Sequence, residues 1–163
     1  MLKQFIALLT LISFSTAKAQ TFVYKNALFF NGESVVFTKD YKPHFLLDNI
    51  TGRFTPSTLE LDSAEVIFKN RYNFDLQGSK ELYVEPVKNV TKEYKNYRRQ
   101  YIGWFNNEGQ KVIFIQMLNF KNKKLAKKRF EGWEKEFEVG QGGWYESNRF
   151  IFEVNLVTKK LSK

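Results

Sequence analysis

Two strand-like runs, residues 97–105 and 111–118, flank Asn106-Asn107-Glu108-Gly109. No other feature restricts the fold of this chain so tightly. Val112-Ile113-Phe114-Ile115 is a continuous apolar run rather than an alternating one, which predicts a central strand covered on both faces. The glycine-containing connection predicts an antiparallel hairpin. The rest of the chain has to build around this pair.

Residues 21–41 predict a second hairpin. Phe22-Val23-Tyr24 and Ala27-Leu28-Phe29-Phe30 favour strand, and Asn31-Gly32 tolerates the positive φ of a tight turn before Val35-Val36-Phe37. A helix is expected over about 56–74, with Thr55 as its cap and Pro56 at its first position. Leu61, Ala64, Ile67, Phe68 and Tyr72 recur three or four apart on one face, and Gly78 lies beyond the end. Glu60, Asp62 and Glu65 stand in the early turns, where the helix dipole favours anions. Residues 77–96 give no consistent pattern: Pro86 argues against a continuous helix, and Val84, Val87 and Val90 suit a short strand or an irregular cover. Phe150, Phe152, Val154 and Leu156 alternate with Ile151, Glu153 and Asn155, as in a strand with one apolar face. Residues 159–163 look like a polar, frayed tail. The sum is an α+β fold, a curved antiparallel sheet packed on one main helix, in a cystatin-like or nuclear-transport-factor-like layout.

The first twenty residues have the three parts of a secretory signal. Lys3 begins it, the stretch from Phe5 to Phe14 is apolar except for Thr10 and Ser13, and Ala17-Lys18-Ala19 is a small-x-small cleavage site before Gln20. The apolar stretch is too short for a membrane span of about 20 residues. The expected organisation is a signal peptide at 1–19 and one α+β domain at 20–163, secreted or periplasmic. Cysteine is absent, which excludes disulfides, thiolate catalysis, Cys-ligated metal and a lipoprotein anchor. Cleavage would remove Lys3 and Lys18 and no acid, leaving 24 basic and 17 acidic residues, a net charge of +7. Such a surplus favours anionic partners such as lipopolysaccharide, anionic lipid, acidic glycan or nucleic acid, and it also serves solubility.

Several short motifs run through the mature part. They are Arg53-Phe54-Thr55-Pro56-Ser57 with Ala64-Glu65, Tyr97-Arg98-Arg99-Gln100-Tyr101-Ile102-Gly103, Gly109-Gln110-Lys111, Trp133, and Gly142-Gly143 before the last strand. In this the chain resembles a group of small exported bacterial proteins. Their pattern is a Thr-Pro-capped helix, a Tyr-x-Arg-Gln-Tyr-x-Gly strand and a late Gly-Gly. The resemblance implies export and an α+β form, and it implies no activity.

Familiar catalytic sets cannot be assembled. His44 is the one histidine, so neither a hydrolytic triad nor a two-His metal site is available, and a hydrogen-bonded structural role is expected for it. No cofactor or metal site is expected. Gly140-Gln141-Gly142-Gly143 lacks the strand–helix context of a phosphate-binding loop and suits a turn at a strand start. Paired carboxylates can work without histidine. Glu131, Glu134, Glu136, Glu138, Glu146 and Glu153 are the candidates, with solvated ion pairs as the plain alternative.

Two patches remain as candidate binding sites. Residues 120–129 carry Lys121, Lys123, Lys124, Lys127, Lys128 and Arg129, bracketed by Phe120, Phe130 and Trp133. Cations among aromatics suit anionic polymers through charge and stacking, and a solvated helix or loop face is the plainer account. Tyr97, Arg99 and Tyr101 share one strand face, a ligand patch if exposed and a ladder of tyrosines over an arginine stem if not. The leading expectation is an exported, non-catalytic binding module whose partner is an envelope protein or an anionic glycan or lipid. Export argues against nucleic acid. The alternative is a small hydrolase or lyase using two carboxylates in a cleft.

Overall fold

The computed structural model describes residues 20–25, 32–43, 50–75 and 90–163. The expected signal at 1–19, the strand at 27–30, Asn31 of the first turn, His44 and Gly78 lie outside the described residues, as does most of the stretch 77–96.

The predicted central hairpin is present: β4 (Tyr97–Asn106) pairs antiparallel with β5 (Lys111–Asn119), from Tyr97 opposite Asn119 to Phe105 opposite Lys111. Asn106 builds its turn, its side-chain carbonyl accepting from the amides of Glu108 (3.1 Å) and Gln110 (2.8 Å). Gly109 takes the positive φ, 71°, that the turn requires. β6 (Arg149–Asn155) pairs antiparallel with β5, and β7 (Leu161–Ser162) pairs with β6. The end of the chain is therefore a strand edge rather than a frayed tail, because Leu161 buries its side chain in the core.

On the other side of β4 two strands share one edge. β2 (Ser34–Phe37) runs parallel to residues 99–102, and β3 (Ile50–Phe54) runs antiparallel to residues 103–106. β1 (Thr21–Val23) pairs antiparallel with β2, so residues 35–37 meet 21–23; the turn expected at Asn31-Gly32 after residues 27–30 falls largely outside the described residues. Arg53 joins the seam where β2 and β3 meet. It donates to the carbonyls of Gly103 (3.0 Å), Tyr41 (3.3 Å) and Thr38 (3.2 Å). The result is an open, curved, mostly antiparallel seven-stranded sheet in the order β1-β2-β4-β5-β6-β7, with β3 beside β2 on β4. One pair, β2 with β4, departs from the all-antiparallel expectation.

The main helix is α1 (Thr58–Asp75). Its cap is Ser57, not Thr55. The Ser57 hydroxyl accepts from the amide of Glu60 (3.3 Å) while the Glu60 carboxylate accepts from the amide of Ser57 (2.8 Å), a reciprocal capping box. Thr55 instead accepts from the amide of Lys39. Pro56 packs over Gly103, where a Cβ would come within 2.9 Å of Pro56 and of the Phe54 ring and carbonyl. Leu61, Ala64, Ile67, Phe68 and Tyr72 pack on Tyr97, Tyr101, Ile113, Ile115, Met117, Phe152 and Val154, forming the first core layer.

The opposite face of the sheet is covered too. After two short 3-10 turns at Val90–Asn96 and the central hairpin, the chain forms α2 (Lys123–Arg129) and α3 (Gly143–Asn148). Phe120, Ala126, Phe130, Trp133 and Phe137 of this segment pack on Val35, Phe37, Ile102, Trp104, Val112, Phe114 and Leu118. Cover on both faces explains why residues 112–115 are apolar without alternation. The late glycines open α3 at Gly143 rather than turning directly into the last strand.

Candidate functional site

The two candidate patches occupy opposite sides of the sheet and have different fates. Tyr97, Arg99 and Tyr101 project from β4 beneath α1, and all three are buried. They therefore form no exposed ligand patch. Arg99 is 0% exposed and pairs with Glu65 of α1, also 0% exposed. The Tyr101 hydroxyl donates to the second Glu65 oxygen at 2.8 Å. The guanidinium lies 4.6 Å from the ring centre of Tyr94 and 5.4 Å from that of Phe68. Burial opposes the charge on Arg99, but Glu65 outweighs it and holds the arginine protonated. Burial likewise raises the Tyr101 hydroxyl well above its ordinary value, and raises Tyr94 and Tyr97 to about 12.

Sequence reasoning assigned Glu65 to the helix dipole, and the structure gives it a buried partner instead. The signal for this was available. Glu65 stands four residues after Leu61 and three before Phe68, inside the apolar stripe, where a carboxylate can be retained only if it is paired.

On the far face Gln100 and Gln116 do the corresponding work. Gln100 donates to the carbonyls of Trp133 (2.5 Å) and Glu136 (2.7 Å), and accepts from Gln116 (2.6 Å) and the amide of Glu138 (3.0 Å). Gln116 also donates to the carbonyl of Glu138 at 2.9 Å. The Tyr41 hydroxyl accepts from the amide of Phe137 at 2.9 Å. These bonds tie the irregular segment after α2 to the sheet, so the Tyr-x-Arg-Gln-Tyr-x-Gly motif is spent on folding. Tyr97, Arg99 and Tyr101 serve α1, Gly103 makes room for Phe54 and Pro56 ahead of the helix, and Gln100 serves the opposite cover.

The basic patch is exposed. Asn122 caps α2 by accepting from the amide of Leu125 at 3.2 Å. The helix then turns Ala126 inward and leaves Lys123, Lys124, Lys127, Lys128 and Arg129 in solvent. Among the described residues no carboxylate lies within ion-pair distance of these five, whereas Lys121 approaches Glu93 at 3.4 Å. The aromatics expected to flank the cations as stacking platforms lie beneath them. Phe120, Phe130 and Trp133 are buried, Phe120 packing on both of the others, and Phe130 packs on Trp144 (5.0 Å) and Tyr145 (5.9 Å). The Tyr145 hydroxyl donates to the Arg129 carbonyl, and the Arg129 guanidinium lies 5.8 Å from the Trp144 ring. Trp133 thus supports α2 rather than presenting a face to a ligand, and the aromatics left partly exposed beside the cations are Trp144 and Tyr145.

The carboxylates considered for catalysis are dispersed in their environments. Glu131, Glu134, Glu136 and Glu146 are exposed, Glu138 accepts from the amide of Gly140, and burial raises the pKa of half-buried Glu153. Among the described residues no three His, Cys, Asp or Glu side chains are grouped to hold a metal ion. No helix among them is long and apolar enough to cross a membrane.

Compared with known proteins, the chain matches no family model, no curated protein and no solved structure.

Proposed function

We propose that this chain is an exported binding module that attaches to an anionic surface, acidic lipid or acidic glycan of the cell envelope, through the outer face of α2. One observation carries the reading: five cations within a seven-residue helix, all exposed and without a carboxylate partner among the described residues, held on an aromatic pedestal. Pairing or scattering would be the expected arrangement if charge served solubility alone. A fixed cluster instead focuses positive potential on one patch. Export rests on the leader-like first 19 residues and on the resemblance to exported bacterial proteins, both features of the sequence.

The scale of the effect is accessible. A cation near an anionic membrane surface contributes about 1 kcal/mol, so replacing Lys123, Lys124, Lys127 and Lys128 by Gln should cost about 4 kcal/mol, roughly a thousandfold in affinity. The test is co-sedimentation of residues 20–163 with vesicles containing anionic lipid, with vesicles of zwitterionic lipid alone, and with a soluble acidic polysaccharide, across a salt series. Binding to an anionic partner that weakens with salt supports the reading. Salt-insensitive binding, or none to any anionic probe, overturns it.

A further inference from the structure

A second surface lies on the other side of the sheet, along the outer flank of α1. A groove of about 540 Å³ runs there between the helix and the turn joining β6 to β7. Leu59, Val66 and Ile67 give it a mostly apolar wall, with Ser63 and Asn70 beside them, and Leu59 and Val66 are 78% and 40% exposed. From Leu59 to Arg71 is twelve helical steps, about 18 Å at the rise of an α-helix. The two ends differ in charge. Asp62 belongs to the early half, where it accepts from the Tyr24 hydroxyl at 2.6 Å. Arg71 closes the far end with Lys159, whose carbonyl accepts from the Arg71 Nε at 3.2 Å.

Lys159 is an unexpected residue for its place. Its φ is 56°, the only positive value at a non-glycine among the described residues. Glycine or asparagine would adopt that conformation at lower cost. Asn155 already organises the turn, its side-chain carbonyl accepting from the amides of Val157 and Thr158, both at 2.9 Å. The Asn155 bonds that shape the turn do not involve the lysine side chain, and Lys159 lines the groove beside Arg71, so that end carries two positive residues.

From these features we propose that the groove binds one long-chain carboxylate, a free fatty acid. Its head group lies at Arg71 and Lys159 and its alkyl chain over Val66 and Leu59, with the negative charge kept away from Asp62. The volume of about 540 Å³ suits one chain, not a two-chain lipid. This site is separate from the basic face of α2 and does not depend on it.

The experiment is calorimetric titration of residues 20–163 with saturated carboxylates of increasing length, below their micelle concentrations. Alkyltrimethylammonium salts of matched length serve as the control. One-to-one binding is expected, with affinity rising by up to about fourfold per methylene until the chain outruns the groove. Lys159→Gly should keep or raise the melting temperature, since glycine suits the turn, while weakening carboxylate binding about fivefold. Val66→Asp, at an exposed helix position, should abolish binding with the fold retained. A variant with Lys123, Lys124, Lys127 and Lys128 replaced by Gln should bind carboxylates as the parent does. Equal affinity for the cationic amphiphiles, unchanged binding in Lys159→Gly, or loss of binding in the α2 variant would each overturn the proposal.

Discussion

Replacing Arg99 by Met removes one half of the buried pair and leaves the Glu65 carboxylate under α1. Its remaining hydrogen bond there is the 2.8 Å contact from Tyr101. Taking one partner from a buried ion pair costs about 3–5 kcal/mol, a large fraction of the roughly 5–15 kcal/mol that holds a domain together. For a chain of this size that lowers the melting temperature by roughly 10–15 °C. Removing both charges, in Glu65→Leu with Arg99→Met, leaves no uncompensated charge and fills the site with apolar volume. The Tyr101 hydroxyl then loses its acceptor, a cost of about 1–3 kcal/mol, which Tyr101→Phe relieves. The double variant should therefore be more stable than Arg99→Met alone, and the triple variant more stable still. Urea unfolding followed by circular dichroism measures each corner of the cycle. A loss under 1 kcal/mol in Arg99→Met, or strict additivity of the two single changes, would refute the view that this pair is coupled and holds the helix to the sheet.

Three further outcomes follow from the same contacts. Gly103→Ala places a Cβ against the Phe54 carbonyl and Pro56 at 2.9 Å, so it should destabilise the fold by about 1–3 kcal/mol in the same unfolding assay. Gln100→Leu strands two carbonyls, one amide and the Gln116 donor; hydrogen exchange should rise at the amides of Phe137 and Glu138 while α1 stays protected. Tyr94, Tyr97 and Tyr101 are harder to ionise folded than unfolded, so stability is fully present below pH 10 and falls as pH rises from 10 towards 12. A denaturation series at alkaline pH should show that fall, and a flat profile to pH 12 would contradict the burial of these hydroxyls.

What was legible in the sequence was local. The central hairpin could be read because Asn106-Asn107-Glu108-Gly109 separates two unbroken strand runs, and the helix because its apolar residues keep one spacing. The helix start was misplaced because Thr55-Pro56 imitates a cap, although Ser57-x-x-Glu60 carries the capping-box pattern two residues on. The parallel pairing of β2 with β4 joins segments more than sixty residues apart, and no turn chemistry announces it. Strand alternation placed Tyr97, Arg99 and Tyr101 together correctly but could not say which side α1 would cover. Leu161 alone gave no hint of a strand, since one apolar residue in a polar tail has no period. The basic run was plain in the sequence. That its aromatic neighbours support it from below, instead of flanking it in solvent, depends on the Gln100 and Gln116 bonds that fold the segment back onto the sheet.

Net charge and a particular surface make different predictions about anionic binding, and one comparison separates them. Changing Lys123, Lys124, Lys127 and Lys128 to Gln removes four charges from α2; changing exposed Lys25, Lys39, Lys42 and Lys95 to Gln removes the same four from elsewhere. Affinity for anionic vesicles at fixed ionic strength should collapse in the first variant and fall only slightly in the second. Equal losses in both would mean that overall charge, and not the α2 face, does the binding.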